Sequence, residues 1–265
     1  MKVGCFEMKV KAENHPVAGV AFITGGGGGI GGATAERLAA NGVSVVVADF
    51  NARLSDAVAE RIISRGGRAL PMAVDVTKLA EVNAAVSAAE AALGPIDFLV
   101  NTAGHFQWAN TEDISGNDFE DMFRVHVFGM HSMVRSVLFG MQKRRAGAIV
   151  NVTSIHAIRG QAHTTHYSAA KGAILAYTKA LAREKSSYDI RVNAVAPGPI
   201  DTPLWRGKLE DAELEEKMAQ RSKIIPMGRL GTADEVAAGI AFLLSPGASY
   251  LTGHIMTIDG GEVMN

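Results

Sequence analysis

Tyr167 and Lys171 lie four residues apart in a stretch whose composition is typical of a helix. Residues at this spacing share one face of a helix, so the lysine ammonium can lie beside the tyrosine phenol. A nearby cation stabilises phenolate and lowers a tyrosine pKa of about 10 toward neutrality, as proton transfer near pH 7 requires. Ser154 follows the apolar run Ala148–Val152 and offers a hydroxyl to bind a substrate oxygen. The pair alone is weak evidence, because such a spacing also arises by chance, but the three residues together predict acid/base chemistry.

The glycine run Gly25–Gly29 directly follows the apolar run Val17–Thr24. Glycines at the end of a strand let backbone N–H groups approach a pyrophosphate at a helix N-terminus, although such a run can also be a flexible connector. Asp49 lies 18 residues beyond Gly31, where a carboxylate can hydrogen-bond the ribose hydroxyls of a dinucleotide or serve as a turn residue. The carboxylate would repel a 2′-phosphate, so NAD is favoured over NADP. Arg53 is the competing feature, since a basic side chain there can reach the ribose.

Short apolar runs alternate with helical stretches along the chain, which predicts a doubly wound α/β fold: a seven-stranded parallel sheet between two helical layers. The predicted strands are Val17–Thr24, Ser44–Ala48, Ala69–Val74, Phe98–Asn101, Ala148–Val152, Arg191–Val195 and Ile255–Ile258. The predicted helices are Ala33–Ala40, Ala52–Arg65, Lys78–Leu93, Asn117–Arg144, His166–Ser186 and a last one that starts at the capping box Thr232 to Glu235 and ends at Leu244.

The length of 265 residues suits one domain, predicted at 17–265 after a polar leader at 1–16. Pro203–Ile225 is the least regular stretch, and it is predicted to be a lid over the site, with a surface helix as the alternative. The formal net charge is −1 without a basic cluster, so we expect a small-molecule partner and neither nucleic acid nor membrane. The single Cys5 cannot form an internal disulfide, and the leader lacks a secretion signal, which predicts a cytoplasmic protein.

Taken in order, these motifs resemble the short-chain dehydrogenase/reductase family over essentially the whole chain from Val17. Six features carry the resemblance: the loop from Thr24 through Gly25 and Gly29 to Gly31, the pair Asp75-Val76, the segment from Asn101 to Gly104, the trio Ser154, Tyr167 and Lys171, the segment from Pro197 to Thr202, and Asp259-Gly260-Gly261. The resemblance implies a Rossmann fold, an NAD(P)-dependent oxidoreductase acting on CH–OH groups, and a homotetramer built through the long helices and the C-terminal strand.

The resemblance also implies roles for individual residues. Tyr167 is the acid/base, Ser154 orients the carbonyl or alcohol, and Lys171 binds the nicotinamide ribose and depresses the tyrosine pKa. NADP-using members commonly carry a basic residue where this chain has Gly28 and Phe50, which again favours NAD. The implied cofactor residues are Gly25, Gly28, Gly29, Ile30, Asp49, Asp75, Val76, Asn101, Ala103, Gly104, Tyr167, Lys171, Pro197, Gly198, Ile200 and Thr202.

One position departs from the family pattern. His126 stands where the long helix usually carries an asparagine that supports a water-mediated proton relay to the lysine. A histidine there can serve the relay, with a pH-sensitive charge, or can pack between helices for structural reasons. We predict that it is part of the catalytic group.

The substrate-facing candidates are His105, His156, Gln161 and Trp205. The same histidines suggest a metal only weakly, since no cysteine or carboxylate completes a zinc spacing, and we predict no metal. The leading hypothesis is an NAD(H)-dependent secondary-alcohol dehydrogenase or ketone reductase. The alternatives are a 3-oxoacyl-acyl-carrier-protein reductase using NADP(H) and a non-catalytic dinucleotide-sensing protein.

Overall fold

Seven parallel strands form the central sheet of the computed structural model, which describes residues 19–207 and 211–264. Their order across the sheet is β3-β2-β1-β4-β5-β6-β9, so the chain reverses its direction of winding between β1 and β4. This confirms the predicted doubly wound fold; the predicted leader, 1–16, lies outside the described residues. The strands are β1 (Val20–Thr24), β2 (Ser44–Asp49), β3 (Ala69–Ala73), β4 (Phe98–Asn101), β5 (Gly147–Val152), β6 (Ile190–Pro197) and β9 (Ile255–Ile258); β7 (Ile200–Asp201) and β8 (Gly231–Thr232) form a separate parallel pair.

The central strands are apolar on both faces because helices cover both sides of the sheet. Successive residues of a strand point to opposite faces. Phe22 and Leu99 therefore belong to the core on one side, and their neighbours Ile23 and Val100 belong to the core on the other. The sheet is thus a rigid platform whose strand ends have fixed positions.

Ten helices are present among the described residues, and none of them is both long enough and apolar enough to cross a membrane. They are α1 (Gly29–Ala40), α2 (Ala52–Ser64), α3 (Leu79–Leu93), α4 (Gly116–Phe123), α5 (Met130–Arg144), α6 (His156–Arg159), α7 (Thr165–Lys185), α8 (Pro203–Arg206), α9 (Asp211–Ser222) and α10 (Ala233–Leu244). The capping box that predicted α10 is present: Glu235 N donates to Thr232 Oγ1 at 3.2 Å, and Thr232 N donates to the Glu235 carboxylate at 2.8 Å.

Two helices differ from the prediction. α1 begins at Gly29 rather than at the predicted Ala33. The prediction left the glycines out of the helix because glycine has a low helix propensity, but the packing at this position requires glycine. A Cβ at Gly31 would lie 2.1 Å from the Gly25 carbonyl oxygen, so only a glycine lets the first turn approach the loop. The predicted helix Asn117–Arg144 is divided between α4 and α5 by a π-helical segment, Arg124–Gly129, which contains His126.

The stretch from Pro203 to Ile225 contains α8 and α9, and its residues 208–210 lie outside the described residues. Helical structure is therefore present where the sequence looked least regular. Both a lid and a surface helix are compatible with that observation.

Candidate active site

The carboxyl ends of β1, β4, β5 and β6 meet at one edge of the sheet and bring the predicted motifs together. Thr24 is paired with Asn101 in the sheet register, and Asn101 with Asn151. Ile155 N, in the loop after β5, donates to the Pro197 carbonyl oxygen at the end of β6, at 3.1 Å. In a doubly wound sheet this edge is where ligands bind.

Ser154, Tyr167 and Lys171 lie together at this edge. Ser154 is buried in the loop after β5, and its hydroxyl is near enough to the Tyr167 phenol, in the first turn of α7, to lower the tyrosine pKa. Lys171 is one turn further along α7, with Nζ 5.7 Å from the centroid of the Tyr167 ring. The Lys171 ammonium donates to the Val152 carbonyl oxygen at 2.8 Å, which fixes it beside the ring. The predicted spacing therefore does place the three side chains in one group.

The charges of this group differ from the sequence-based expectation. Burial raises the pKa of Tyr167 to about 12, and the nearby Ser154 hydroxyl opposes this rise only in part. Burial lowers the pKa of Lys171 from 10.5 to about 7. Lysine was expected to depress the tyrosine pKa, but desolvation outweighs that effect because Lys171 is itself buried and bonded to a backbone carbonyl. At neutral pH the phenol thus holds its proton.

His126 is buried in the π-helical segment, and its ring lies edge-on to Tyr167 with 5.6 Å between ring centroids. Its Nε2 lies 2.8 Å from the His105 carbonyl oxygen. Gly104 makes room for the ring, since a Cβ there would lie 2.2 Å from His126 Cε1. Burial, reinforced by the charge of Lys171, holds the His126 pKa well below its usual range. The imidazole is therefore neutral, and the expected pH-sensitive charge near 6.5 is wrong for this environment.

A small cavity lies between His126, Asn101 and Lys171. Its volume of about 10 Å³ is close to what one water molecule needs. Asn101 Nδ2 donates to Asn151 Oδ1 at 2.9 Å, so its own Oδ1 is held in a fixed direction. Asn101 Oδ1 and His126 Nδ1 are both buried without a hydrogen-bond partner among the described residues. The cavity thus offers polar atoms of Asn101, His126 and Lys171 among apolar side chains, and it is of the right size for a bridging water.

The loop before α1 has the features of a pyrophosphate site. No side chain caps the N-terminus of α1, where Gly28 is the residue before the first turn. A Cβ at Gly28 would point into open space, whereas Gly29 lies against the Thr202 side chain, with 3.6 Å from an added Cβ to Thr202 Cγ2. Uncapped N–H groups at a helix N-terminus favour an anionic ligand. The glycine loop and the segment after β6 therefore adjoin, as a cofactor spanning both would require.

Asp49, at the end of β2, also holds the glycine loop in place. One carboxylate oxygen accepts a hydrogen bond from Gly27 N at 3.0 Å, and the other accepts from Asn51 N at 2.9 Å. The side chain is half-buried, while Phe50 is 79% exposed and Arg53 is exposed on the first turn of α2. Each carboxylate oxygen has a further lone pair, so Asp49 can still accept from a ribose hydroxyl.

The remaining cofactor candidates are also at this edge. Gly198 N donates to the Ile258 carbonyl oxygen at 3.0 Å, and a Cβ at Gly198 would lie 2.7 Å from that of Asp259. The predicted motif around Pro197 thus packs on the C-terminal motif. Val76 is buried, and Asp75 accepts from Thr77 N at 3.0 Å. Ile30 belongs to the first turn of α1, Ala103 follows β4, and Ile200 begins β7.

The four substrate candidates are not equivalent. His156 N donates to Ser154 Oγ at 3.1 Å, and the His156 ring lies 5.9 Å from the Tyr167 ring, centroid to centroid. His105 contacts His126 and not Tyr167 in the described interactions, with 5.5 Å between the two imidazole centroids. Gln161 accepts from Arg159, and Trp205 packs beneath Lys217, whose Nζ is 4.6 Å from the ring centroid.

Sequence reasoning missed several residues of this region. Phe106 contacts the Tyr167 ring edge-on at 5.0 Å between centroids, and its place directly after His105 was the available signal. Arg159, Arg221 and Glu262 form an ion-pair cluster near His156, and their wide separation in sequence left no recognisable spacing. Within 19–207 and 211–264, no three histidine, cysteine or acidic side chains form a group that could hold a metal.

Comparison with known proteins identifies the family. The sequence model described as enoyl-(acyl carrier protein) reductase matches residues 25–262. The short-chain reductase protein NovJ of Streptomyces niveus is 37% identical over 245 residues, 92% of this chain and 93% of NovJ. The 3-oxoacyl-[acyl-carrier-protein] reductase FabG of Chlamydia trachomatis is 36% identical over 242 residues, 91% of this chain and 96% of FabG. The crystal structure of levodione reductase superimposes with a TM-score of 0.88 at 33% identity, covering 92% of this chain and 96% of that one.

The chain belongs to the short-chain dehydrogenase/reductase family and is an oxidoreductase. Its fold is the NAD(P)-binding Rossmann fold of that family. The relatives differ in the substrates that their names state, so the family assignment leaves the reaction partner of this chain open.

Proposed function

We propose that this enzyme interconverts a secondary alcohol and a ketone with NAD(H), using Tyr167 as the acid/base. The observation that carries the proposal is the placing of Ser154 and Tyr167 beside the buried Lys171, at the sheet edge that also bears the glycine loop. When bound, the nicotinamide donates or accepts the hydride. The overall reaction is ketone plus NADH plus a proton giving alcohol plus NAD⁺, and its reverse.

Each side chain of the group has a definite task in this proposal. Ser154 Oγ accepts from His156 N, which leaves the hydroxyl hydrogen to donate to the substrate oxygen. Tyr167 supplies the proton to that oxygen during reduction, and its high pKa means that the proton is present at neutral pH. Lys171, whose pKa burial lowers to about 7, stabilises the phenolate as it forms when it carries its positive charge.

We propose that His126 helps to return the proton to this group. Lys171, Asn101 and His126 border the cavity of about 10 Å³, and one water in it would contact the Lys171 ammonium and the unpaired Asn101 Oδ1 and His126 Nδ1. Nδ1 is an acceptor in the tautomer in which Nε2 donates to the His105 carbonyl oxygen. A neutral imidazole offers the same kind of acceptor as an amide oxygen, which supports the replacement of the usual asparagine by histidine at this position.

The preference for NAD rests on Asp49 and on its surroundings. A carboxylate at the end of β2 accepts from ribose hydroxyls and repels a 2′-phosphate, and the next residue, Phe50, adds no positive charge. Arg53, exposed on the first turn of α2, and the similarity to FabG favour the alternative, a 3-oxoacyl-acyl-carrier-protein reductase using NADP(H). The ratio of kcat/KM for NADH and NADPH separates the two.

The direct test is a screen for NAD⁺ reduction with sugar, polyol, steroid, acyl and aromatic alcohols, run in parallel with NADP⁺. We expect oxidation of at least one class with NAD⁺ preferred. Binding of NADH to folded protein with no turnover of any class would favour the non-catalytic dinucleotide-sensing alternative. We also propose a lid at 203–225, a single domain and a homotetramer. The homotetramer is supported by the exposure of two large apolar side chains, Phe128 at 61% and Phe139 at 77%.

A further inference from the structure

A cluster of three charged side chains lies beside the proposed reaction centre. Glu262 follows β9, and only 3% of its side chain is exposed. One of its carboxylate oxygens, Oε1, accepts from Arg159 Nη2 at 2.7 Å and also from Arg221 Nη2. Arg159 ends α6 and Arg221 belongs to α9, so the cluster joins three separate segments of the chain.

The cluster carries more positive than negative charge. Two guanidinium groups share one carboxylate, and their hydrogen bonds to described side chains all use Nη2. Each guanidinium has five N–H donors in a planar fork. The Arg159 and Arg221 side chains are 33% and 21% exposed, which leaves the unused donors within reach of a ligand. Glu262 Oε2 is buried without a hydrogen-bond partner among the described residues, and the remaining N–H donors of the two guanidinium groups are those that an oxyanion would use.

His156 links this cluster to the reaction centre. Its backbone N–H is bonded to Ser154, its ring faces Tyr167, and its Nδ1 is buried without a partner among the described residues. Burial, together with the charges of Arg159 and Arg221, lowers the His156 pKa to about 4. The imidazole is thus neutral at physiological pH, and the positive charge of this region belongs to the two arginines.

We propose, on the basis of the function proposed above, that the substrate is an oxo acid or the corresponding hydroxy acid. Its anionic oxyacid group binds Arg159 and Arg221 while its carbonyl or hydroxyl group lies at Ser154 and Tyr167. In reduction, a hydride from the reduced nicotinamide forms the C–H bond, and the proton from Tyr167 completes the hydroxyl group; the acid group is unchanged. Planar guanidinium groups suit this task because they bind carboxylate, sulfonate or phosphate oxygens in pairs.

A purely structural ion-pair cluster would behave differently. Loss of Arg221 would then loosen α9 and impair charged and neutral substrates alike. Loss of an oxyanion contact impairs only the substrate that carries the anion. Matched substrate pairs distinguish the two roles.

The experiment measures kcat/KM for a series of oxo acids with increasing distance between carbonyl and carboxylate, each beside its neutral primary amide. The variants are Arg221→Gln, Arg221→Lys and the control Lys223→Gln, which removes an exposed positive charge just beyond α9. We expect the wild type to prefer the best acid over its amide by about tenfold or more, as a charge-assisted hydrogen bond allows. Arg221→Gln should abolish the preference for the acid by raising KM for the acid and not for the amide. Arg221→Lys should restore part of the preference, and Lys223→Gln should leave it unchanged.

Equal turnover of acid and amide by the wild type would overturn the oxyanion site while leaving the proposed function standing. Equal losses for both substrates in Arg221→Gln would show a structural role only. If no pair is turned over with either cofactor while the alcohol screen does find a substrate, the oxyanion site is overturned and the proposed function stands. If the alcohol screen also finds no substrate, the proposed function fails, and calorimetric titration of the same acids into wild type and Arg221→Gln still tests the site. Binding that is unaffected by the substitution would then overturn the oxyanion site as well.

Discussion

Lys171→Met should make the protein more stable at neutral pH while removing its activity. The amine is buried, and burial lowers its pKa from 10.5 to about 7. Between these pH values the unfolded chain holds a proton on this lysine that the folded chain has largely lost. The free energy of unfolding of the wild type therefore rises with pH through this range. A methionine of similar length has no such dependence.

The size of this stability difference follows from the pKa shift of Lys171. Each pKa unit corresponds to about 1.4 kcal/mol, so burial of this lysine costs about 4 kcal/mol at pH 7 and about 1 kcal/mol at pH 10. The substitution also removes the hydrogen bond to the Val152 carbonyl oxygen, at a cost of about 1 to 3 kcal/mol. We expect Lys171→Met to be about 1 to 3 kcal/mol more stable than the wild type at pH 7. Near pH 10 that advantage should vanish or change sign.

Urea unfolding of wild type and variant at several pH values between about 7 and 10 measures this difference. The matched control is Lys179→Met, an exposed lysine on the same helix, α7, whose substitution should show no comparable pH-dependent gain. A Lys171→Met protein that is less stable than the wild type at pH 7, or a difference that does not change with pH, would refute the reasoning about burial.

Two further predictions concern the cofactor and the relay. Asp49→Asn should narrow the preference for NADH over NADPH by about tenfold or more, because it removes the charge that repels a 2′-phosphate while keeping an acceptor for the loop; an unchanged ratio of kcat/KM would remove Asp49 from cofactor selection. His126→Asn should keep kcat within about tenfold of the wild type, whereas His126→Leu, which offers no acceptor to the cavity, should lose about a hundredfold. A hundredfold loss in His126→Asn would show a role specific to histidine, and full activity of His126→Leu would show that the side chain only packs.

Much of the fold was predictable because parallel strands that are covered on both faces read as short apolar runs. β4 and β9 have the predicted bounds, and the cap of α10 is the predicted one. The start of α1 was not predictable from propensity, since it depends on the contact between Gly31 and the Gly25 carbonyl oxygen. The π-helical segment around His126 was not predicted, because the apolar periodicity that indicates a helix does not separate one π turn from the α-helix around it.

In the candidate site, too, features set by local sequence were predictable, and features set by contacts between distant segments were not. Ser154 directly follows β5, and Tyr167 and Lys171 share α7, so short-range spacing sufficed to predict where each of them lies. The direction of the Tyr167 pKa was mispredicted, because desolvation depends on surroundings that spacing does not describe. Glu262 and its two arginines come from three distant segments, and only the folded chain shows that they are neighbours.

The central claim is that Tyr167 transfers the proton. Its most direct test is Tyr167→Phe, which keeps the ring and its contacts with Phe106 and His156 but removes the hydroxyl. NADH binding, followed by fluorescence, should match the wild type, while kcat for the best substrate of the screen should fall by about a hundredfold or more. A variant that binds NADH normally and still turns over at a rate near that of the wild type would contradict the assignment.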